Sequence, residues 1–123
     1  MMKLLYVEDE ADIREVAEYA LEDEGFDIVF CESGEKALES VDNFTPDVIL
    51  LDVMMPGMDG PTTLKKLREC PPLVDTPVIF LTAKVQPNEV QSFIDMGAVD
   101  VIPKPFDPMT LADTIRKIVQ GSR

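Results

Sequence analysis

The sequence predicts an α/β fold in which helices cover both faces of a parallel sheet, a doubly wound (βα)5 three-layer sandwich. Five apolar runs alternate along the chain with segments of helical period; the runs lie near residues 3–7, 27–31, 47–51, 77–81 and 99–102. Because the strands are apolar on both faces, helices must cover both sides of the sheet through right-handed crossovers. Five strands wound in this way commonly take the order 2-1-3-4-5, which we expect here.

The first helix has the clearest amphipathic pattern in the chain. Its acids lie on one face and its apolar side chains on the opposite stripe, which consists of Ile13, Val16, Ala17, Ala20 and Leu21. We expect this stripe to pack on the sheet. Gly25 is expected to supply a left-handed C-terminal cap, because glycine adopts a positive φ without steric cost.

Proline and glycine limit the third helix. It is predicted to open at Gly60-Pro61, and Pro71-Pro72 should end it because proline has no backbone N–H to donate to the helix. A short loop then leads to the fourth strand.

The last helix has an unusually clear start signal. Asp107 is predicted as its N-cap, with Pro108 at the first helical position. The apolar stripe that should face the sheet consists of Leu111, Ala112, Ile115, Ile118 and Val119.

Length and composition predict one soluble domain spanning residues 1–123. The chain is 46% hydrophobic, yet no apolar run approaches the roughly 18 residues of a membrane span, and the N-terminus lacks a secretion signal. We therefore expect a cytoplasmic protein without membrane insertion. The formal net charge of -13 opposes direct nucleic-acid binding. With no histidine in the chain, Cys31 and Cys70 are expected to be reduced thiols rather than zinc ligands.

Charged side chains are predicted to follow three strands at one edge of the sheet. Glu8 and Asp9 end the first apolar run, Asp52 ends the third, and Lys104 follows the fifth. In the order 2-1-3-4-5 the strand direction reverses between strands one and three, and ligands bind beyond the carboxyl ends there. Thr82, at the end of the fourth run, adds a hydroxyl donor to the same edge.

This set of residues favours chemistry that depends on a cation. Ionised carboxylates only a few ångströms apart repel one another, and Mg2+ accepts hard oxygen ligands together with a phosphate. A carboxylate can also attack phosphorus when cations neutralise the phosphoryl oxygens. We predict that Asp52 is this nucleophile, with Mg2+ bound beside it and Lys104 as a point charge.

Four motifs in this order are similar to the receiver domain of two-component response regulators, of the single-domain type found among chemotaxis regulators. They are Glu8-Asp9, Asp52 before Met-Met-Pro-Gly-Met-Asp-Gly, Thr82-Ala83, and Lys104-Pro105-Phe106. The resemblance covers nearly the whole chain and implies a flavodoxin-like fold. It also implies that the chain is a phosphoacceptor signalling domain rather than an enzyme acting on other substrates.

The resemblance also implies a role for each motif residue. Asp52 would accept a phosphoryl group from a sensor histidine kinase or a histidine phosphotransfer protein. Asp9 and Asp52 would ligate Mg2+, Glu8 would hold it through water, and the Met54 backbone carbonyl would be a further ligand. Thr82 and Lys104 would bind the phosphoryl oxygens, and the Lys104-Pro105 bond is expected to be cis.

Three positions bear on how such a domain would signal. Val101 stands where receivers usually carry an aromatic side chain that couples to the threonine, so we expect signalling here to rest on Thr82 and loop movement. Met54 and Lys84 would flank the phosphoryl group. We predict that Met54 impedes the attacking water and lengthens the phosphoryl lifetime.

Two alternatives belong to other functional classes. An aspartyl-phosphate hydrolase of small phosphoesters usually has a second Asp two residues beyond its nucleophile, where this chain has Met54. A phosphorylation-independent binding module would be expected to lack the acceptor, the metal acids or the lysine. The chain is expected to be either a stand-alone regulator or a piece of a longer one, with a downstream protein target that the sequence does not identify.

Overall fold

A computed structural model describes residues 1–121 and shows five strands that form one parallel sheet in the order β2-β1-β3-β4-β5. The strands are β1 Met2–Val7, β2 Phe26–Cys31, β3 Val48–Asp52, β4 Val78–Thr82 and β5 Asp100–Pro103. The helices are α1 Ala11–Leu21, α2 Gly34–Ser40, α3 Gly60–Arg68, α4 Pro87–Asp95 and α5 Leu111–Gly121, and a 3-10 turn spans Pro71–Leu73. The predicted fold class, strand order and alternation are confirmed. The last two positions of the predicted 1–123 domain lie outside the described residues.

Alternating strand residues build two cores, one on each face of the sheet. Leu5 and Val7 pack in a cluster with residues of α2, α3 and α4, whereas Leu4 and Tyr6 pack in a second cluster with residues of α1 and α5. β3 and β4 are buried at every position. This is the arrangement expected of central parallel strands that helices cover on both sides.

Only part of the predicted α1 stripe is buried. Ala17 and Leu21, four residues apart, are buried, but Val16 is 45% exposed. The reason is that the line of side chains at i and i+4 makes the closest approach to the sheet, and the flank of the stripe stays at the surface. The helix also ends without the predicted glycine cap, because Glu22 leaves it in an extended conformation. Gly25 does have a positive φ of 87°, but in the turn into β2.

The predicted start of α5 is wrong by three residues. Asp107 accepts a hydrogen bond from the Met109 amide at 2.9 Å, and the Thr110 amide donates to the Asp107 carbonyl at 3.2 Å. These bonds form a separate turn, and the helix begins after it, at Leu111. The α3 start at Gly60 is confirmed, whereas its end lies at Arg68, just before the two prolines that initiate the 3-10 turn.

Candidate functional site

The end of β1 delivers two acids to the carboxyl edge of the sheet. Glu8 is fully buried and Asp9 is half-buried. The Glu8 amide continues the ladder by donating to the Cys31 carbonyl at 3.0 Å, and the Arg14 guanidinium donates to the Glu8 carbonyl at 2.7 Å. Arg14 lies one turn into α1, so its side chain ties the helix to the turn that carries both acids. This contact matters because the α1 N-cap, Glu10, provides no side-chain capping bond.

The end of β3 holds Asp52 in a turn with little freedom. Asp52 is 1% exposed, and its Oδ1 accepts a long 3.4 Å hydrogen bond from the Met54 amide. The chain then returns so closely that the Gly60 amide donates to the Val53 carbonyl at 2.9 Å. A Cβ on Gly60 would lie 2.5 Å from the Asp52 carbonyl oxygen, a distance no side chain tolerates. Asp59 caps α3 by accepting from the Thr62 amide at 2.9 Å, so the loop is fixed at its far end.

Lys104 connects these two strand ends. Its Nζ donates to Glu8 Oε1 at 3.0 Å and to Asp52 Oδ2 at 3.1 Å. The expected cis bond between Lys104 and Pro105 is present, and the Lys104 amide donates to the Thr82 carbonyl at 3.0 Å. Burial lowers the pKa of Lys104, but its hydrogen bonds to Glu8 and Asp52 outweigh burial, so the net pKa is raised. The ammonium therefore stays charged between the two acids.

One ammonium does not balance the acids around it. Ligand oxygens of Glu8, Asp9 and Asp52 all lie within 4.8 Å of one another. The net pKa of Glu8 is raised to about 7, first by burial and next by its interaction with Asp52, while Lys104 acts in the opposite direction. In the metal-free protein one of the three carboxyl groups is thus close to protonation at neutral pH. A second cation beside these carboxyl groups would stabilise their ionised forms.

The donor set fits Mg2+. All three side chains offer hard carboxylate oxygens, and opposite ligands of an octahedral Mg2+ ion lie about 4.2 Å apart, twice its usual bond length. Oxygens that lie within 4.8 Å of one another are close to this span, so a single ion fits among them when one of the carboxylates holds it through water. The partial exposure of Asp9 leaves a solvent side for that water. The metal ligands themselves, including the Met54 carbonyl, stay predictions.

Thr82 and Val101 lie on the neighbouring strands. Thr82 is 2% exposed at the end of β4, one residue beyond the partner of Asp52 in the sheet register, and its Oγ1 accepts from the Lys84 amide at 3.0 Å. Its predicted contact with a phosphoryl oxygen stays a prediction. Val101 pairs with Phe80 in the sheet and packs against the α2, α3 and α4 core as a half-buried side chain.

Tyr6 has a buried hydroxyl without a hydrogen-bond partner in the described chain, close enough to Glu8 and Asp52 to be affected by their charges. It is fully buried, its ring lies 5.3 Å from that of Phe30, and its hydroxyl has no hydrogen-bond partner among residues 1–121. Burial raises the pKa of Tyr6, and the charges of Glu8 and Asp52 raise it further. Tyr6 is therefore neutral at any physiological pH and adds no charge to the cluster.

Two residues contribute to this geometry in ways that the sequence did not predict: Arg14 was not singled out, and Gly60 was predicted only as the start of α3. Arg14 fixes the turn that holds Glu8 and Asp9, and Gly60 permits the close return of the chain behind Asp52. The glycine left a signal, since it closes the turn-forming stretch after Asp52. The arginine left none, because an arginine on an amphipathic helix is ordinary and its acceptor is a backbone carbonyl.

Comparison with known proteins identifies the family. The family model for the response regulator receiver domain matches residues 4–116. The transcriptional regulatory protein CpxR of Escherichia coli is 39% identical over 122 residues, which are 99% of this chain and 51% of that protein. The alkaline phosphatase synthesis transcriptional regulatory protein PhoP of Bacillus subtilis is 35% identical over 120 residues, 98% of this chain and 49% of that protein. The chain thus spans about half the length of the curated relatives it matches.

Solved structures agree with this assignment. The chemotaxis response regulator CheY4 of Vibrio cholerae superimposes with a TM-score of 0.89 at 33% identity, covering 96% of this chain and 98% of that one. A Francisella response regulator receiver domain superimposes with a TM-score of 0.87 at 28% identity over the full length of both chains. The fold is therefore the flavodoxin-like fold of chemotaxis regulators, and the chain belongs to the receiver domain family of two-component response regulators.

Proposed function

We propose that this receiver domain accepts a phosphoryl group on Asp52 from a phosphohistidine of a sensor histidine kinase or a histidine phosphotransfer protein, with Mg2+ bound. The observation that carries the proposal is a nearly inaccessible Asp52 whose carboxylate contacts Lys104 at 3.1 Å and shares a 4.8 Å cluster with Glu8 and Asp9. A nucleophile of this kind needs cations more than it needs a general base, because a carboxylate is already ionised.

The transfer requires few groups beyond the nucleophile. An Asp52 oxygen bonds to phosphorus while the bond from phosphorus to the donor's imidazole nitrogen breaks, and the imidazole keeps that electron pair. We expect the Lys104 ammonium, which now contacts Asp52 and Glu8, to bind a phosphoryl oxygen. We expect the Thr82 hydroxyl to donate to another phosphoryl oxygen. Its Oγ1 now accepts a 3.0 Å hydrogen bond from the Lys84 amide, and this bond is lost only if the Thr82 rotamer changes. When bound, Mg2+ would neutralise the phosphoryl oxygens as charge moves between donor and acceptor.

Acetyl phosphate provides a direct test of this reaction. The purified chain, incubated with acetyl phosphate and Mg2+, should gain the mass of one phosphoryl group, and peptide mapping should locate it on Asp52. Asp52→Asn should abolish the gain, and chelation of Mg2+ should suppress it. Asp47→Asn is the matched control. Asp47 is an exposed acid just before the start of β3, at the opposite end of the strand from Asp52, and it accepts a hydrogen bond from the Lys3 amide. An unlabelled parent chain would refute the proposal and favour a phosphorylation-independent module.

The same incubation separates the transfer from hydrolase activity. A phosphoacceptor should take up about one phosphoryl group per chain, and any further consumption of acetyl phosphate should be no faster than its slow autodephosphorylation. Continuous turnover of an unrelated phosphoester such as p-nitrophenyl phosphate would instead indicate a small-molecule phosphatase. We expect none, because Met54 occupies the position at which such enzymes usually have their second Asp.

We further propose that the chain acts as one receiver domain spanning residues 1–123 in the cytoplasm, and that its output goes to another protein segment rather than directly to nucleic acid. The net charge of -13 supports this, since it would repel a phosphate backbone. No helix within residues 1–121 has the length and apolar character to cross a membrane. The relatives named as transcriptional regulators are about twice as long, so any effect on transcription would depend on a segment beyond this domain or on a partner.

Val101 affects which conformational change we expect after phosphorylation. A valine has no ring to reorient, so we propose that movement of Thr82 and the loop after it carries most of the change. Amide chemical shifts of the chain with and without beryllofluoride should differ most between residues 82 and 86 and less along β5. Equal shifts in both segments, or none after residue 82, would contradict this.

A further inference from the structure

A second charged region lies on the outer face of α1 and α5, away from the acceptor. Its centre is Tyr19, whose side chain is 79% exposed. A cavity of about 440 Å³ separates Tyr19 from β2, and another of about 230 Å³ separates it from the start of α5. We call Tyr19 together with these two cavities the Tyr19 surface. Met109, 89% exposed, stands on the far side of the smaller cavity.

Both cavities have apolar floors and acidic rims. The floor of the larger one contains half-buried side chains of the edge strand, namely Phe26, Ile28 and Phe30. Its rim carries four acids, Glu15, Glu18, Glu22 and Asp23. The smaller cavity shares one of these acids and adds Glu24 and Asp113 beside Pro108 and Ala112. Within the described chain no lysine or arginine lines either cavity.

The nearest base shows which chemistry this surface accepts. The Arg116 guanidinium donates to Glu24 Oε1 at 2.7 Å and to Asp113 Oδ1 at 3.1 Å. It also lies over the Phe26 ring, 5.5 Å from the ring centroid. One cation is thus held by two carboxylates and an aromatic face at the edge of the surface. The four acids on the rim of the larger cavity form no ion pair within residues 1–121.

We propose that the Tyr19 surface docks a basic segment of another protein, in which lysine or arginine side chains flank an aliphatic side chain. The aliphatic group would enter the larger cavity and cover Phe26 and Phe30. The flanking cations would meet the unpaired acids and the exposed Tyr19 ring, which repeats the recognition already seen at Arg116. A second copy of this chain is a poor occupant, because each copy has a net charge of -13.

The Tyr19 surface differs from an ordinary solvated acidic face in what its acids surround. A solvated face has charged side chains over polar ground, whereas here the acids surround apolar floors and a large exposed ring. The surface also contains none of the residues proposed for phosphoryl transfer. Docking here therefore stands independently of the reaction at Asp52, and an Asp52→Asn chain should bind the segment as the parent does.

A designed peptide tests the proposal. A 14-residue amphipathic peptide of leucine and lysine would be titrated into the 15N-labelled chain at low salt, and amide shifts would be followed by NMR. We expect the shifts to cluster in residues 15–30 and 108–116. Tyr19→Ser and Glu18→Lys should each weaken binding, by roughly five-fold for the charge reversal. Matched controls elsewhere are Val74→Ser, at a side chain 52% exposed, and Glu69→Lys, on an exposed acid after α3; both should bind like the parent.

Distinct outcomes overturn the proposal. Shifts spread over all acidic surfaces, or an equal loss in Glu18→Lys and Glu69→Lys, would show diffuse attraction rather than a site. Absence of shifts at millimolar peptide would show that the surface binds no such segment. Concentration-dependent shifts of the same residues without peptide would identify a second copy as the occupant. Circular dichroism of each variant establishes that a loss of binding is not a loss of fold, since all four changes lie at exposed positions.

Discussion

The acceptor site and the Tyr19 surface use the same residue types in opposite environments. At the acceptor site Glu8 and Asp52 are at most 1% exposed, and a single lysine bridges them. On the Tyr19 surface the acids of the larger rim are exposed and make no ion pair within the described residues. The buried pair lies where a charge interacts strongly over short distances, and the exposed group lies where water and salt weaken each interaction.

This difference separates two kinds of function. The buried acids carry more negative charge than Lys104 can neutralise, which favours binding of a metal ion and, with it, of a phosphoryl group. Exposed acids around an apolar floor create a field that attracts a basic partner and a surface that holds it. The net charge of -13 by itself distinguishes neither, because it counts a carboxylate equally in both environments.

Removing the partly buried ammonium of Lys104 should give the largest effect. Lys104→Met leaves Glu8 and Asp52 facing each other without a cation, so we expect a loss of about 3 kcal/mol in the free energy of unfolding in chelator at pH 8. Lys36→Met is the matched control. Its ion pair with Glu39 spans 3.8 Å between side chains 57% and 72% exposed, and should contribute under about 0.5 kcal/mol.

Urea unfolding measures both variants. If they lose equal stability, the two acids do not depend on Lys104 and the contrast between buried and exposed charge fails. Added Mg2+ should restore part of the loss in Lys104→Met and none in Lys36→Met, because only the first variant has an uncompensated acid cluster.

The titration of Glu8 should give a slightly smaller effect. Its pKa is raised from an ordinary 4.5 to about 7, chiefly by burial, so the folded metal-free protein binds the proton more tightly than the unfolded chain. The stabilisation is complete below pH 4.5 and is lost as pH rises through 7. Between pH 5 and pH 8 the loss amounts to about 2 to 3 kcal/mol. Urea unfolding in chelator should show this fall in the parent relative to Glu8→Gln, which does not titrate. If the difference in the free energy of unfolding between the two proteins stays constant with pH, the pKa of Glu8 is not raised by burial.

A steric change at the acceptor should follow in size. Gly60→Ala puts a Cβ 2.5 Å from the Asp52 carbonyl oxygen and 2.8 Å from Val53 Cα, and both are backbone atoms that cannot turn aside. We expect a loss of about 2 kcal/mol in the free energy of unfolding and slower labelling by acetyl phosphate, because the backbone of Asp52 must shift. Gly121→Ala, with no atom within 4 Å of the added Cβ, should leave stability and labelling unchanged. Normal labelling of Gly60→Ala would mean that the close return of the chain does not position Asp52.

The apolar runs predicted the fold well, and local signals predicted its boundaries less well. Each predicted strand lies within one residue of the observed one at either end, because strands buried on both faces leave an unbroken apolar run. The predicted start of α5 was wrong, although the capping residue on which it was based does form a capping bond. Asp107 does accept a capping bond, from Met109, but that bond closes a turn and not the helix. A capping residue specifies its own hydrogen bond and does not specify what the next residues do.

The site was predictable to the extent that it depends on topology. Charged residues that follow parallel strands must meet at one edge of the sheet, which brought Glu8, Asp52 and Lys104 together. Arg14 could not be found in this way, since its acceptor is the backbone carbonyl of Glu8, which has no side-chain signal in the sequence. The Tyr19 surface could not be found in this way either, because its acids come from α1, from the turn after α1 and from α5, and the sequence pattern assigns each of them to solvent.

The smallest effect should come from an exposed side chain beside the buried site. Met54 is 68% exposed although its amide contacts Asp52, so its side chain adds little to stability and can act only on what enters from solvent. We expect Met54→Asn to leave the free energy of unfolding within about 0.5 kcal/mol of the parent while the phosphorylated chain loses its phosphoryl group several-fold faster. An amide can orient the attacking water, whereas the thioether hinders it. Loss of labelled phosphate after removal of the donor measures the rate. A variant that holds its phosphate as long as the parent would show that exposed neighbours do not tune the acceptor, and that the buried residues alone set the phosphoryl lifetime.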